Sequence, residues 1–397
     1  MSEQFLTEFT FENSRYHCEI EQLVNSNTGN LFKQLVIKKN NHEYIKMAYQ
    51  FGFGLKAMDT RKKNNPLGEF LGIQKNDLTA VKSFIENYGF LFISKEHDKY
   101  TKINLDEFFQ LQERLQAFIN IINNQNVSSI FLKDTNYEEL LNSVVYLMLK
   151  DYPNTSSNEI YNILENKNSI NELIDSPHSF DTNHNNKLVT KNDKNGQIIQ
   201  YYHVTDYLSN TQIDIEKEEF LNYIQDEDVP LWIRNLAKLF VIKDNIELDD
   251  NMIKKVDFLF QLTRYIDFDK ANISLFGLFP PEIYSDITKD SEFLSSLHTI
   301  SRLLISEEFE RCLKNVTPTY NVDELRPDWK LPSLISALYF SIYYRNSKNS
   351  AFRKCSNVNC NQLFEVSKTN SKKKYCCDAC RNVVGQRNYQ SKKNKGH

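Results

Sequence analysis

Five of the seven cysteines in this 397-residue chain lie between positions 355 and 380. Zinc favours four soft ligands arranged as a tetrahedron, and four cysteines leave no open position for catalysis. The spacing is C-x4-C, then fifteen residues, then C-x3-C. Two close pairs on separate elements complete such a site with little loop-closure cost. The sequence therefore predicts one structural Zn2+ as cofactor, bound by Cys355, Cys360, Cys380 and one of the adjacent pair Cys376 and Cys377.

The spacing alone leaves the third ligand open, because Cys377 and Cys380 form a C-x2-C pair that also suits zinc. Other uses of the cluster fit less well. Disulfides are rare in a reducing cytosol, and iron–sulfur clusters usually show different spacing. The two remaining cysteines, Cys18 and Cys312, are expected to be ordinary buried side chains.

Charge is distributed unevenly along the chain. Residues 348–397 carry 12 Lys and Arg against two acidic residues, whereas residues 1–347 carry 36 basic and 50 acidic residues. A basic end on an acidic body is typical of a protein whose end contacts a polyanion. The predicted nucleic-acid-binding residues are Lys372, Lys373, Lys374, Arg381, Gln386, Arg387, Asn388, Lys392 and Lys393.

The second cysteine pair is expected to lead into a helix from Asp378 to Tyr389, with Cys380 in its first turn. On that helix Arg381, Gln386, Asn388 and Lys392 are expected to approximate one polar stripe. Cationic side chains suit phosphate contacts, and amides can read base edges. DNA is favoured over RNA as the partner. The alternatives are a solvated basic tail and a surface that docks an acidic protein.

A family resemblance rests on residues of the same segment. The stretch from Cys355 to Lys393 resembles the CGNR-type zinc finger of bacterial proteins, whose last cysteine is followed by Gly-Asn-Arg and a basic helix. The matching residues are Phe364, Ser367, Lys368, Tyr375, Cys376, Cys380 and Asn382, while Arg381 and Val383 replace the Gly and Arg. The resemblance implies Cys376 as the third ligand, an N-terminal domain of the ABATE type, and a transcriptional or stress regulator.

No catalytic residue is predicted. The chain contains no G-x4-GK[ST], H-E-x-x-H or G-x-S-x-G motif. Asp214, Glu216 and Lys217 could be imagined as part of a metal-dependent nuclease, but a polar helix start explains IDIEKEE better. The eight histidines are scattered, and a lone histidine is more often a packed or exposed residue than a base.

The hydrophobic pattern predicts an α+β fold that is predominantly helical. Residues 1–130 are expected to form a small α+β N-terminal domain with a sheet. Residues 131–325 are expected to form a mainly helical middle domain with a hairpin near 187–204, because Asn195-Gly196 is a strong hairpin turn. Residues 326–397 are expected to form a helical neck, the four-cysteine zinc finger and its basic tail.

These features favour a cytoplasmic bacterial protein that binds nucleic acid through its basic C-terminal module. The N-terminus lacks a signal peptide, and no apolar stretch is long enough to span a membrane, so no membrane partner is expected. The leading function is a transcriptional or stress regulator, which could form a homo-oligomer. The alternatives are a toxin-like effector of stress or phage defence, whose finger targets nucleic acid, and a zinc-stabilised protein-interaction module.

Overall fold

A computed structural model describes residues 8–24, 29–50, 54–58, 65–92, 99–125, 135–150, 152–153, 159–165, 188–192, 196–265, 286–322, 325–345, 350–360, 362–367 and 370–395. The strands are β1 (Glu8–Val24), β2 (Leu31–Gln50), β3 (Gly54–Ala57), β4 (Thr101–Lys102), β5 (Leu188–Asn192), β6 (Ile198–Asp206), β7 (Thr211–Glu216), β8 (Thr317–Asn321), β9 (Arg326–Lys330), β10 (Ser350–Lys354) and β11 (Leu363–Ser367). The α-helices are α1 (Pro66–Gly72), α2 (Leu78–Tyr88), α3 (Leu105–Gln125), α4 (Tyr137–Leu149), α5 (Glu159–Glu165), α6 (Lys217–Gln225), α7 (Leu231–Ile242), α8 (Asp250–Thr263), α9 (Ser291–Leu313), α10 (Leu334–Tyr343) and α11 (Asp378–Lys395).

The chain divides into two compact units. Unit 1 comprises residues 1–134 and 307–397, and unit 2 comprises residues 135–306. The predicted α+β class is confirmed, with an antiparallel sheet near the N-terminus and a helical middle. The three-domain division stays a prediction.

The sheet of unit 1 is built on a long antiparallel pair, β1 and β2, with β3 and β4 each paired to β2. Side chains alternate between the two faces of a strand, so Phe9 and Phe11 are buried at odd positions. The register shifts between Ser14 and Arg15, and beyond it the buried residues are Tyr16 and Cys18. This irregularity moves the inward face from odd to even positions. The prediction that Cys18 is buried is confirmed.

Aromatic residues and a buried ion pair connect the sheet region of unit 1 with its later helices. The Phe9 ring stacks on Tyr49 at 5.1 Å and lies 5.0 Å from Phe340 of α10. Arg114 of α3 donates to both carboxylate oxygens of Glu308 at 2.7–3.1 Å, and the Tyr339 hydroxyl donates to the same carboxylate at 2.7 Å. Such pairing satisfies charges that would be costly to bury alone.

The hairpin formed by β10 and β11 is also part of unit 1. Asn123 of α3 donates from Nδ2 to the Phe352 carbonyl and accepts from the Phe352 N–H, both at 3.1 Å. Asn65, which precedes α1, donates to the Leu363 carbonyl at 3.0 Å. A Cβ at Gly68 would lie 2.2 Å from that same carbonyl oxygen. The hairpin is therefore fixed on α1 and α3 by directed polar contacts and close packing.

Unit 2 contains the three-stranded antiparallel sheet β5-β6-β7 and helices α4 to α8. The predicted hairpin is confirmed as β5 and β6, although Asn195 lies outside the described residues. Gly196 has φ +80, a conformation that glycine tolerates. Asp214 and Glu216 lie on β7, and α6 begins only at Lys217. The prediction of a helix start was therefore wrong for residues 213–216, because pairing with β6 keeps them extended.

Within the described part of the chain, no helix is both long and apolar enough to cross a membrane.

Candidate metal centre and basic helix

The first cysteine pair lies in the loop that closes the β10–β11 hairpin. Cys355 directly follows β10, and its N–H donates to the Gln362 carbonyl at 2.9 Å, which continues the antiparallel pairing by one step. The Cys360 N–H donates to the Asn357 carbonyl at 2.8 Å and closes a turn. Both sulfurs are thus presented by a short loop whose ends the strands hold in register.

The second pair lies where the chain enters α11. Cys376 precedes the helix, and Cys380 lies in its first turn, as the sequence predicted. Two contacts hold the preceding loop against the hairpin. The Ser356 N–H donates to the Lys374 carbonyl at 2.9 Å, and the Arg353 guanidinium donates to the carbonyls of Ser371 and Lys373 at 2.7 and 3.1 Å.

The four sulfurs of Cys355, Cys360, Cys376 and Cys380 all lie within 4.8 Å of one another. Cys376 Sγ is 3.5 Å from Cys360 Sγ and 3.7 Å from Cys380 Sγ. With Zn–S bonds of about 2.3 Å, sulfurs at the corners of a tetrahedron are about 3.8 Å apart. The donor set and its spacing therefore fit a metal ion at the centre of the cluster.

The structure separates the two candidates for the third ligand position. Cys376 is half-buried inside the four-sulfur group, whereas Cys377 is exposed and lies outside it. The Cys377 sulfur is 3.8 Å from the Cys376 sulfur. The backbone carbonyl of Cys377 accepts a hydrogen bond from the Arg381 N–H of α11 at 3.2 Å. The geometry therefore favours Cys376 as the ligand.

A small apolar core supports the cysteines. Cys355, Phe364 and Val366 are buried together, and Ala351 and Tyr375 pack against them. A side chain from each of the two strands and from the loop before α11 thus contributes to this core. A core of this size contributes little burial, so a bound metal ion would add to the stability of these segments.

The thiol pKa values indicate how readily the four cysteines of the cluster lose their protons. Burial raises the pKa of Cys355, but hydrogen bonds from the backbone N–H groups of Cys376 and Asn357, together with those from the Cys376 and Cys360 thiols, lower the pKa overall. Burial, and then the neighbouring Cys360 thiol, raise the pKa of Cys376. Burial is also the main cause that raises the pKa of Cys380 to about 11. Without a cation, sulfurs gathered this closely resist forming four thiolates, and a bound dication reverses that preference.

One residue that the sequence did not predict connects the hairpin loop with the helix. Asn357 is buried, donates from Nδ2 to Cys380 Sγ at 3.4 Å, and accepts from the Arg387 guanidinium at 3.4 Å. Groups that hydrogen-bond to a ligand fix its orientation. An asparagine between two cysteines carries no signal of this role in its spacing, and only the fold shows its partners.

The predicted nucleic-acid-binding residues occupy the loop before α11 and the helix itself. The exposed ones are Lys372, Lys374, Arg381, Gln386, Arg387 and Asn388. Lys373 is half-buried, with its Nζ 5.2 Å from the centre of the Phe364 ring. Lys392 and Lys393 lie on α11, but their side chains are outside the described residues. None of the predicted residues whose side chains are described is buried in a core.

Among the described residues, Arg381 contacts its own helix, whereas Arg387 contacts Asn357 of the hairpin loop. Arg381 pairs with Asp378 of its own helix at 3.3 Å, and both side chains are exposed, so the pair is weak. α11 extends beyond the predicted end at Tyr389 to Lys395. At about 100° per residue, Arg381, Asn388 and Lys392 share one face within about 40°, whereas Gln386 lies about 140° from Arg381. The polar stripe is thus narrower than the sequence suggested.

Comparison of the chain with protein-family models, with curated proteins and with solved structures finds no match in any of the three. The resemblance to the CGNR-type finger accordingly stays a prediction.

Proposed function

We propose that this protein binds nucleic acid through a C-terminal module in which one structural Zn2+ holds the start of a basic helix. The supporting observation is the position of Cys380, which lies in the first turn of α11 while its sulfur lies in the four-sulfur cluster. A closed set of four sulfurs fits zinc and leaves no coordination position for substrate. The metal would thus fix the helix and the loop before it as one rigid surface.

The charge of that surface supports a polyanionic partner. The loop residues Lys372 and Lys374 and the helix residues Arg381 and Arg387 are exposed. The exposed amide of Asn388, on the same face of the helix as Arg381, supplies groups that hydrogen-bond to base edges, whereas the exposed Gln386 amide lies on another face. DNA is the favoured partner, with RNA as the alternative. If the CGNR-type resemblance holds, the role is that of a transcriptional or stress regulator in the cytoplasm.

The module is attached to the rest of unit 1 by specific contacts. Asn123, Asn65 and Gly68 hold its hairpin against α1 and α3. A nucleic acid bound to the helix would therefore be held in a fixed position relative to the N-terminal sheet. This arrangement suits a regulator in which a change in unit 1 alters the binding surface.

Binding at increasing salt, with labelled duplex DNA and with RNA, tests the proposal. If about six phosphates are neutralised, the logarithm of the association constant for duplex DNA should fall with that of the salt concentration with a slope of about −5. Cys376→Ser should lose the metal and weaken binding, whereas Cys377→Ser should retain both. Absence of salt-dependent binding to both nucleic acids, or wild-type binding by the metal-free Cys376→Ser variant, would overturn the proposal.

A further inference from the structure

The outward face of the β5-β6-β7 sheet in unit 2 carries a set of side chains that the metal centre does not use. Tyr202 and Val204 of β6 point inward and are only 2% and 3% exposed, so Tyr201 and His203 lie on the opposite face. In the antiparallel register His203 pairs directly with Asp214 of β7. Residues directly opposite each other share a face, so this face brings an imidazole and a carboxylate together.

His203 and Asp214 form a hydrogen-bonded dyad. The His203 Nδ1 is 2.7 Å from Asp214 Oδ1. Hydrogen bonds from His203 and then Lys191 lower the pKa of the Asp214 carboxyl, so it is an ionised acceptor at neutral pH. Because a carboxylate only accepts, Nδ1 is the donor, and the neutral imidazole keeps its lone pair on Nε2. A carboxylate that holds an imidazole in this tautomer is the arrangement that general bases use.

Two further groups flank the dyad. The Lys191 ammonium of β5 contacts the second carboxylate oxygen, Asp214 Oδ2, and its Nζ lies 5.7 Å from the centre of the Tyr201 ring. The Lys191 side chain is 53% exposed, and an anion on this face would compete with Asp214 Oδ2 for its ammonium group. Tyr201 and His203 are alternate residues of one strand, and their Cα atoms are therefore about 6.6 Å apart. A phosphodiester can lie between two side chains at that separation.

We propose that this face cleaves RNA by internal transphosphorylation, with His203 as general base. Nε2 of His203 takes the proton of a ribose 2′-hydroxyl, and the 2′-oxygen forms a bond to the adjacent phosphorus. The bond from phosphorus to the 5′-oxygen breaks, and that oxygen takes the hydroxyl proton of Tyr201. Lys191 balances the charge on the phosphoryl oxygens. The imidazolium loses its proton and the tyrosinate gains one through solvent, which restores both groups.

The chemistry restricts the substrate to RNA. The nucleophile belongs to the substrate, so the reaction needs neither an external nucleophile nor a second reactant. DNA lacks the 2′-hydroxyl and should be inert. The products should be a 2′,3′-cyclic phosphate and a free 5′-hydroxyl. The activity belongs to residues of unit 2 and does not depend on nucleic-acid binding by the C-terminal module, so the two proposals are tested separately.

The test uses the full-length protein with labelled RNA oligonucleotides that together contain every dinucleotide step, and with the same sequences as DNA and as 2′-O-methyl RNA. Wild type should cleave only the unmodified RNA, and mass spectrometry should identify the cyclic phosphate end. His203→Gln keeps the size of the side chain but removes the base, and should lower the rate by about 100-fold or more. His42→Gln, an exposed histidine of β2, is the matched control and should cleave at the wild-type rate.

Asp214 acts as a positioning residue, so its variants need a kinetic readout. Asp214→Asn should lower kcat while KM for RNA stays close to wild type, and Asp214→Glu should restore part of kcat. Wild-type protein that leaves all the RNA intact would overturn the proposal. Equal cleavage by wild type and His203→Gln would overturn it as well, because the activity would then come from another site or another protein.

Discussion

Asn123 and Phe352 exchange two hydrogen bonds, one from the Asn123 amide to the Phe352 carbonyl and one from the Phe352 N–H to the Asn123 carbonyl oxygen, both at 3.1 Å. A side-chain amide thereby pairs with β10 much as a neighbouring strand would. This contact fixes the cysteine hairpin on helix α3, so the metal centre and the N-terminal sheet belong to one unit.

Asn123→Ala should destabilise unit 1 by about 1–3 kcal/mol, because it removes both bonds and leaves Phe352 backbone groups without these partners. The melting temperature should fall by about 2–4 °C for each kcal/mol. Gln116→Ala is the control, since its amide bonds to Asn120 one turn along the same helix. That change should cost a few tenths of a kcal/mol. Equal losses from the two variants would contradict the role given to Asn123.

Gly68→Ala should be destabilising by about 1–3 kcal/mol, because its Cβ would lie 2.2 Å from the Leu363 carbonyl oxygen and backbone would have to move. Gly385→Ala in α11 is the matched control. A Cβ there meets nothing within 4 Å, and alanine favours helix by up to about 1 kcal/mol. Thermal melts of the two variants should therefore shift in opposite directions. A Gly68→Ala protein as stable as wild type would show that α1 and the hairpin are not closely packed.

Asn357→Ala should speed metal release about 10–100-fold, because it removes the donor to Cys380 Sγ and the acceptor that holds Arg387. Zinc transfer to a chromogenic chelator measures the rate. Asn359→Ala is the control, since the Asn359 side chain is exposed and its backbone N–H, which the substitution keeps, makes the contact with Asn357. Identical release rates for wild type and Asn357→Ala would remove Asn357 from the metal centre.

Removing the metal should lower the melting temperature of the N-terminal region as well as unfold the finger. The cysteine cluster lies on the hairpin that Asn123 and Asn65 bind to α3 and α1. A ligand that binds only the folded state stabilises whatever unfolds with its site. Hydrogen exchange before and after chelation should show faster exchange in β10, β11 and the adjoining turns of α3. Unchanged exchange in α3 would mean that the finger unfolds alone.

The sequence predicted those features of the site that depend on residues lying close together along the chain. The cysteine pattern predicted three of the four residues whose sulfurs come together and left the third position between Cys376 and Cys377, which the family resemblance assigned to Cys376. The basic composition predicted the exposed lysines of the loop before α11 and the exposed arginines of the helix itself. The order of pairs also predicted Cys380 in the first turn of α11. The metal's identity and the nucleic-acid partner remain predictions, since neither follows from the positions of the sulfurs.

Contacts between distant segments could not be predicted. Asn123 and Phe352 are 229 positions apart, and only the packing of α3 on β10 brings them together. His203 and Asp214 meet because of the register of β6 and β7, and the interpretation of residues 213–216 as a helix start concealed that pairing. The carboxylate partner of His203 can be identified only once the pairing of β6 with β7 is known.

The zinc content of purified wild-type protein, measured by elemental analysis beside Cys376→Ser and Cys377→Ser, tests the central claim most directly. The structure leads us to expect about one zinc per chain in wild type and in Cys377→Ser, and a loss in Cys376→Ser. Substoichiometric metal in wild type, or retention in Cys376→Ser with loss in Cys377→Ser, would contradict the four-sulfur site.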